Sequence, residues 1–324
     1  MKNLFCAIVF AVTLGAVTGA SAQIYPTRPI TIVVPYPAGG AVDALGRILA
    51  ESMTATLGQS VVIENAGGAG GSIGVGRVAR AAADGYTISV ATGDQYVANG
   101  AIYPLQYDVV KDFEPVVLLA SSPFLIVTKN AVPAKDMKEL IVWLKANQDK
   151  VTQGHNGAGN GQHLCGLDLQ KRLGAKWPFV PYRGAAPALQ DLVSGQYDVY
   201  CPLPGSALGL VRGGKIRVYA VASSTRLTSA PEIPTVDEAG LPGFYNSIWT
   251  GMWAPKGTPR DVIARLNAAV VKAFSDPAVR KRITDIGMEA PPRDRLTPEA
   301  LGAYQKAEIE KWWPIIKGEG IKAE

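Results

Sequence analysis

Past the first two dozen residues, short apolar runs alternate with stretches whose apolar residues return at helical spacing. Residues 30–34 form a largely apolar run, which reads as a buried strand and breaks at Pro35-Tyr36-Pro37-Ala38-Gly39-Gly40. Beyond that turn, Val42, Leu45, Ile48, Leu49 and Met53 share one helical face. Leu57-Gly58 stops the helix, and residues 59–64 read as a second strand entering the glycine-dense stretch 65–74. A helix through residues 78–83 ends at Asp84-Gly85, and a third strand, 86–91, closes at Thr92-Gly93-Asp94. This βαβαβ order predicts an open parallel sheet with its ligand-facing loops at the C-terminal ends of the strands.

From Asp112 the pattern changes. Residues 116–120 and 124–128 are two short apolar runs interrupted by Ser121-Ser122-Pro123, after which the βα alternation starts afresh. Asp136 and Glu139 give a D-x-x-E helix start. Strand 151–154, the loop His155-Asn156-Gly157-Ala158-Gly159-Asn160-Gly161 and helix 162–173 follow. Phe179-Val180-Pro181-Tyr182-Arg183-Gly184 is another strand-to-helix turn, with a helix over 185–194 and strands 197–201 and 216–221 completing a second sheet. Residues 225–243 are turn-rich, 248–254 read as a strand returning to the first sheet, and Thr258-Pro259-Arg260-Asp261 opens a helix with Thr258 as N-cap. Residues 277–286 and 297–317 are amphipathic helices. The expectation is an α/β protein of two lobes, 23–123 with 248–324 and 124–247, joined by two crossings as a hinged clamp.

Composition removes residues 1–22 from that fold. Lys2, an apolar stretch and Ala20-Ser21-Ala22 make an export signal peptide cleaved after Ala22. The 32 Lys and Arg against 27 Asp and Glu give +5, or +4 once Lys2 leaves with the leader. The charges are interspersed without a basic stripe, so no nucleic-acid partner is expected. Cys6 leaves too, and Cys165 and Cys201 remain; in an oxidising compartment a disulfide and two buried thiols are both open.

Candidate chemistry is carried by main chain. Three glycine turns, at 35–40, 65–74 and 154–161, lead into helices whose first N–H groups and dipoles favour an anion. Gly70-Gly71-Ser72-Ile73-Gly74 matches the G-x-S-x-G nucleophile elbow, with His155 and His163 downstream, and makes a Ser72 hydrolase the alternative function. Six residues separate Glu64 from Gly71, however, and Ser72 reads better as a helix N-cap. Gly74 and Gly76 meet a dinucleotide fingerprint but fall inside a helix, where close packing explains them; no cofactor is expected. His155, His163 and Cys165 fit no zinc spacing. Asp43, one turn into its helix, suits capping of N–H groups or a bridging water.

Taken together, Tyr25-Pro26-Thr27-Arg28-Pro29-Ile30 with Val34-Pro35-Tyr36-Pro37-Ala38-Gly39-Gly40, Asp84-Gly85-Tyr86-Thr87, Val180-Pro181-Tyr182-Arg183-Gly184 and Pro234-Thr235-Val236-Asp237-Glu238-Ala239-Gly240 resemble the periplasmic substrate-binding proteins of tripartite tricarboxylate transporters. Trp249-Thr250-Gly251 and Ala254-Pro255-Lys256-Gly257-Thr258-Pro259 extend the resemblance over essentially the whole mature chain. It implies a type II periplasmic binding protein fold, of Venus-flytrap form, that captures a small organic carboxylate and delivers it to a membrane permease. A monomer and, as a third reading, a sensor subunit fit the same fold. The resemblance places the ligand against backbone amides and bridging waters of the first-lobe loops 36–40 and 67–71, with Tyr36, Ala38, Gly39, Gly40, Gly70 and Gly71 as candidates, and Asp43 and Thr92 stand beside them in the same lobe. In the second it places His155, Asn156, Asn160, His163, Arg183, Gly184 and Ala185. His155 stands where relatives often carry a hydroxyl residue, and Ala41 where they carry Ser or Thr.

Overall fold

The computed structural model describes residues 25–182 and 184–322. The expected leader over residues 1–22 and Arg183 lie outside the described residues. Strands β1 (Ile30–Val34), β2 (Val61–Asn65), β3 (Thr87–Thr92), β4 (Phe113–Pro123) and β10 (Ser247–Pro255) form one five-stranded sheet, ordered β2-β1-β3-β10-β4. Strands β5 (Leu125–Lys129), β6 (Gln153–His155), β7 (Phe179–Pro181), β8 (Val199–Tyr200) and β9 (Ile216–Val221) form the other, ordered β7-β6-β8-β5-β9. The helices are α1 (Ala41–Leu57), α2 (Ser72–Ala79), α3 (Asn99–Ile102), α4 (Met137–Ala146), α5 (Gly161–Leu173), α6 (Ala185–Ser194), α7 (Pro204–Arg212), α8 (Val236–Ala239), α9 (Arg260–Phe274), α10 (Pro277–Asp285) and α11 (Pro298–Gly318).

Why β1 is apolar at every position but Thr31 is plain from its two faces. Ile30, Ile32 and Val34 enter a core with Leu45, Leu49 and Met53 of α1, while Val33 enters another with Val75 and Val78 of α2. A strand covered on both sides has no solvent face on which to alternate. Strand β5 repeats the arrangement, with Ile126 packed against Met137, Leu140 and Leu144 of α4, and Leu125 and Val127 against Ala188, Leu189 and Leu192 of α6. Strands β1 to β3 pair in parallel, but β10 lies antiparallel to both β3 and β4, so the first sheet is mixed.

The two crossings run side by side. Strand β4 does not break at Ser121-Ser122-Pro123 as the pattern suggests; it continues to Pro123, opposite Ser247 of β10. Ser121 exchanges both backbone hydrogen bonds with Glu289, and Pro123, at the strand end, has no N–H to satisfy. Between the sheets, the Phe124 amide donates to Asn246 O (3.0 Å), Ala222 N to Phe124 O (2.8 Å) and Asn246 N to Ala222 O (3.0 Å). Helix α11 lies over this junction: Lys311 Nζ sits 3.5 Å from Asp168 of α5, which also accepts from Asn246 Nδ2 at 2.9 Å.

Two expected caps are different. Thr258 does not cap α9; its buried hydroxyl donates to Pro255 O at 2.7 Å, and Pro259 occupies the cap position. Ser72 is the first helical residue of α2 rather than its cap, and its hydroxyl donates back to Ala69 O at 2.7 Å. Asp136 does cap α4, accepting from the Glu139 amide at 2.9 Å.

Candidate functional site

A cleft of about 320 Å³ opens between loops of the two sheets, lined by Pro35, Tyr36, Pro37, Gly68, Gly70, Gly71, Asp94, Gln95, Asn99, Ile102 and Tyr103 on one side and Ala158, Gly159 and Asn160 on the other. Its described lining carries no Lys or Arg. Three element starts converge on it: the glycine turn into α2, the π-helical turn Asp94–Ala98 that leads into α3, and Asn160 at the head of α5.

Gln95 holds the first-sheet side together. Its Oε1 accepts from the Tyr36 hydroxyl (2.9 Å), the Thr92 amide (3.1 Å) and the Thr92 hydroxyl (2.9 Å), and its Nε2 donates to Gly70 O (3.2 Å). Asn99, one helical turn on, donates to the same Gly70 carbonyl at 2.9 Å. The turn at Tyr36, the end of β3 and the glycine loop are thereby fixed to one another. Burial, with the nearby Asp94 charge, raises the Tyr36 phenol far above its ordinary value, so it remains a neutral donor. Gly70 and Gly71 have φ of 62° and 87°, and a Cβ on either would run into Tyr103 or Gln95.

Among the anticipated residues, Tyr36, Gly70, Gly71 and Asn160 line the cleft. Ala38, Gly39 and Gly40 do not; they are exposed at the head of α1. The Gly39 amide is already taken by Asp43, whose carboxylate accepts from Gly39 N (2.8 Å), Arg47 Nε (3.0 Å) and Asn65 Nδ2 (3.0 Å). Those bonds, that from Arg47 first, hold the Asp43 pKa down at about 2. The α1 terminus thus has its own carboxylate, and Asp43 is buried with three donors already on it. Thr92 is likewise committed, to Gln95 and Tyr36.

On the second-sheet side, Asn160 caps α5 by accepting from His163 N at 3.0 Å. The two histidines shape the loop instead of lining the cleft. His155 is buried at the end of β6, and its ring stacks on His163 with centroids 4.5 Å apart. Nδ1 of His155 accepts from Gly157 N (3.1 Å) and Nδ1 of His163 from Gly159 N (3.0 Å), an arrangement that requires both Nδ1 atoms unprotonated. Burial, then the His155 ring, lowers the His163 pKa to about 4. Asn156 is engaged with the Tyr200 hydroxyl at 2.5 Å, and Gly184 and Ala185 begin α6 away from the cleft lining. The Ser72 hydroxyl donates to Ala69 O at 2.7 Å, at the start of α2.

Cys165 of α5 and Cys201 after β8 form a disulfide in a fully buried setting, with Cα atoms 6.5 Å apart. Trp249 lies under Gly93 and donates to Glu308 Oε2 at 3.2 Å, as packing. Among the described residues, no group of three or more His, Cys, Asp or Glu is gathered to hold a metal.

Sequence reasoning missed Asp94, Gln95, Asn99 and Tyr103. The available signal was the i, i+4 pair Gln95 and Asn99 immediately after a strand end, where side chains share one helical face.

Residues 45–321 match the family described as "Tripartite tricarboxylate transporter family receptor". Over 326 residues the chain is 38% identical to the "UPF0065 protein in the TAR-I ttuE-ttuC' intergenic region" of Agrobacterium vitis, covering 99% of this chain and 92% of that one. It is similar to the solved periplasmic binding protein BugD, at 39% identity and a TM-score of 0.72, covering 92% of this chain and 100% of BugD. It is also similar to MatC from Rhodopseudomonas palustris, solved with bound malate, at 39% identity and a TM-score of 0.73, covering 90% of this chain and 100% of MatC. Two mixed sheets flanked by helices are the architecture of those binding proteins, and by this family match and these identities the chain belongs to the tripartite tricarboxylate transporter receptor family.

Proposed function

We propose that this chain is an exported, periplasmic receptor that closes its lobes, 23–123 with 248–324 and 124–247, on a small organic carboxylate and passes it to the permease of a tripartite transporter. It acts as a monomer, after removal of the leader at Ala22, and does no chemistry on the ligand. The observation that carries this reading is the cleft between the two sheets, on which glycine turns and element starts converge from both sides. Backbone N–H groups at helix starts suit a carboxylate, and waters can bridge the remaining distance. MatC, similar over most of this chain, binds malate, which supports the ligand class. Closure follows from differential affinity: a ligand touching both lobes favours the conformation in which both can reach it.

A thermal-shift screen against mono- and dicarboxylic acids tests the reading. A ligand at about a hundredfold its dissociation constant adds about 2.7 kcal/mol and a clear rise in Tm. A panel that leaves Tm unmoved throughout would sink the receptor assignment.

A further inference from the structure

Three side chains at four-residue spacing, Gln95, Asn99 and Tyr103, meet at Gly70. The first two turn their amides to its carbonyl, Gln95 Nε2 at 3.2 Å and Asn99 Nδ2 at 2.9 Å. The third lies over the glycine itself: a Cβ on Gly70 would stand 2.7 Å from the Tyr103 hydroxyl oxygen and 2.9 Å from Cζ. Tyr103 is held there by its own backbone. Pro104 disfavours helical geometry at the residue before it, so α3 ends at Ile102 and Tyr103 is extended, with φ −106° and ψ 146°. Its amide donates to Asn99 O and its carbonyl accepts from Leu105 N, each at 2.9 Å.

Packing accounts for the ring and not for the hydroxyl. A phenylalanine would cover Gly70 as well, and the Tyr103 hydroxyl makes no hydrogen bond among the described residues. The other polar side chains that line the cleft are engaged or do not donate. The Tyr36 hydroxyl is bonded to Gln95 and Thr92, Gln95 and Asn99 hold Gly70, and Asn160 caps α5. Asp94, as a carboxylate, only accepts. With no Lys or Arg in the described lining, the Tyr103 hydroxyl is the uncommitted donor beside the glycine turn. A hydrogen bond from it to an ionised acceptor is stronger than one to a neutral oxygen.

We infer that Tyr103 is a ligand-binding residue of this cleft, its hydroxyl donating to a carboxylate seated at the Gly68–Gly71 turn, while Gln95 and Asn99 are positioning residues that hold the turn beneath it. The inference rests on the receptor reading above and adds a side-chain donor to the main-chain grip proposed there.

Isothermal titration tests it, using the acids that raise Tm in the thermal-shift panel, with malate, succinate and adipate in that panel, on wild type and Tyr103→Phe, alongside urea midpoints. Tyr103→Phe is expected to bind each such acid about tenfold or more weakly, with its urea midpoint unchanged, because the hydroxyl gains a partner only in the complex. Tyr103→Met, which also lacks the hydroxyl, gives the same readout should the phenyl ring shift. Wild-type affinity in Tyr103→Phe overturns the inference and leaves the receptor reading standing. So does a loss of affinity accompanied by an equivalent fall in the urea midpoint, which would make the hydroxyl structural. If no acid of the panel binds wild type, the receptor reading itself falls, and this inference with it.

Discussion

The Tyr36 hydroxyl donates to Gln95 Oε1 at 2.9 Å, and through that bond the turn after β1 is tied to the turn after β3. The same oxygen takes two bonds from Thr92, so Gln95 acts as a junction rather than as one partner in a pair. Tyr36→Phe is expected to cost about 1 kcal/mol, and Gln95→Ala about 2–4 kcal/mol, because it takes the acceptor from the Tyr36 hydroxyl and the Thr92 amide and one of two side-chain donors from Gly70 O. The double variant should cost little more than Gln95→Ala, since both changes delete the same bond. Urea midpoints with unchanged m-values would measure this; strict additivity would mean that Tyr36 is held by Thr92 alone.

Asp43 draws Gly39, Arg47 and Asn65 onto one carboxylate. Asp43→Asn keeps the shape but sets an NH2 group among donors, at an expected cost of about 1–3 kcal/mol at neutral pH. With its folded pKa near 2, below the ordinary 3.8, Asp43 contributes stability above pH 3.8 and loses it as pH falls toward 2. The gap between wild type and variant should therefore close over that interval. A gap that persists at pH 2 would assign the loss to packing.

How far these contacts could be anticipated depends on whether apolar side chains announce them. Strands β1 and β5 are legible because burial on both faces demands mostly apolar runs, and α1 because one face alone is buried. The Asp43 cap was readable from its place one turn into α1. The segment after Thr92 was not: Asp94, Gln95 and Asn99 are polar, the π-helical turn Asp94–Ala98 has no 3.6-residue period, and Gln95 and Asn99 both donate to a carbonyl far off in sequence, that of Gly70. Likewise Ser121-Ser122-Pro123 looked like a break because a polar run is ambiguous until its partners, Glu289 and β10, are in place. Glycine turns were locatable, but which amides remain for a ligand depends on contacts such as Asp43 to Gly39.

His163 and Asp94 should oppose each other in acid. The folded pKa of His163, about 4, lies below the ordinary 6.5; the unfolded chain then binds more protons, and stability falls as pH drops from 6.5 to 4. Asp94, raised from 3.8 to about 6, binds more protons when folded, so its contribution falls as pH rises across 3.8 to 6. Asp94→Asn should make stability climb more steeply with pH between 4 and 6, and raise it at pH 7 by removing a charge that burial disfavours. Urea midpoints at half-unit pH steps would test both signs, and an unchanged profile would count against Asp94 being desolvated.

The Cys165–Cys201 bridge closes a sequence separation of 36 residues within the second core. Protein recovered from an oxidising compartment should gain two hydrogens in mass under denaturing reduction. A Cys165→Ala/Cys201→Ala variant should lose about 2–4 kcal/mol, chiefly through a less constrained unfolded chain. Unchanged mass on reduction would instead mean two buried thiols.

Gly159 brings the second-sheet loop against Ile102 of α3, close enough that a Cβ there would overlap the Ile102 side chain; its φ is 73°. Gly159→Ala meets two penalties, a left-handed backbone and a clash across the cleft, and only the second concerns closure. The variant is expected to bind the best carboxylate of the panel about tenfold more weakly, equivalent to about 1.4 kcal/mol. Adding Ile102→Ala should restore most of the affinity, because it clears the space without relaxing the backbone. If the double variant stays as weak as the single one, the loss lies in loop conformation, and the approach of Gly159 to Ile102 has no part in holding the clamp shut.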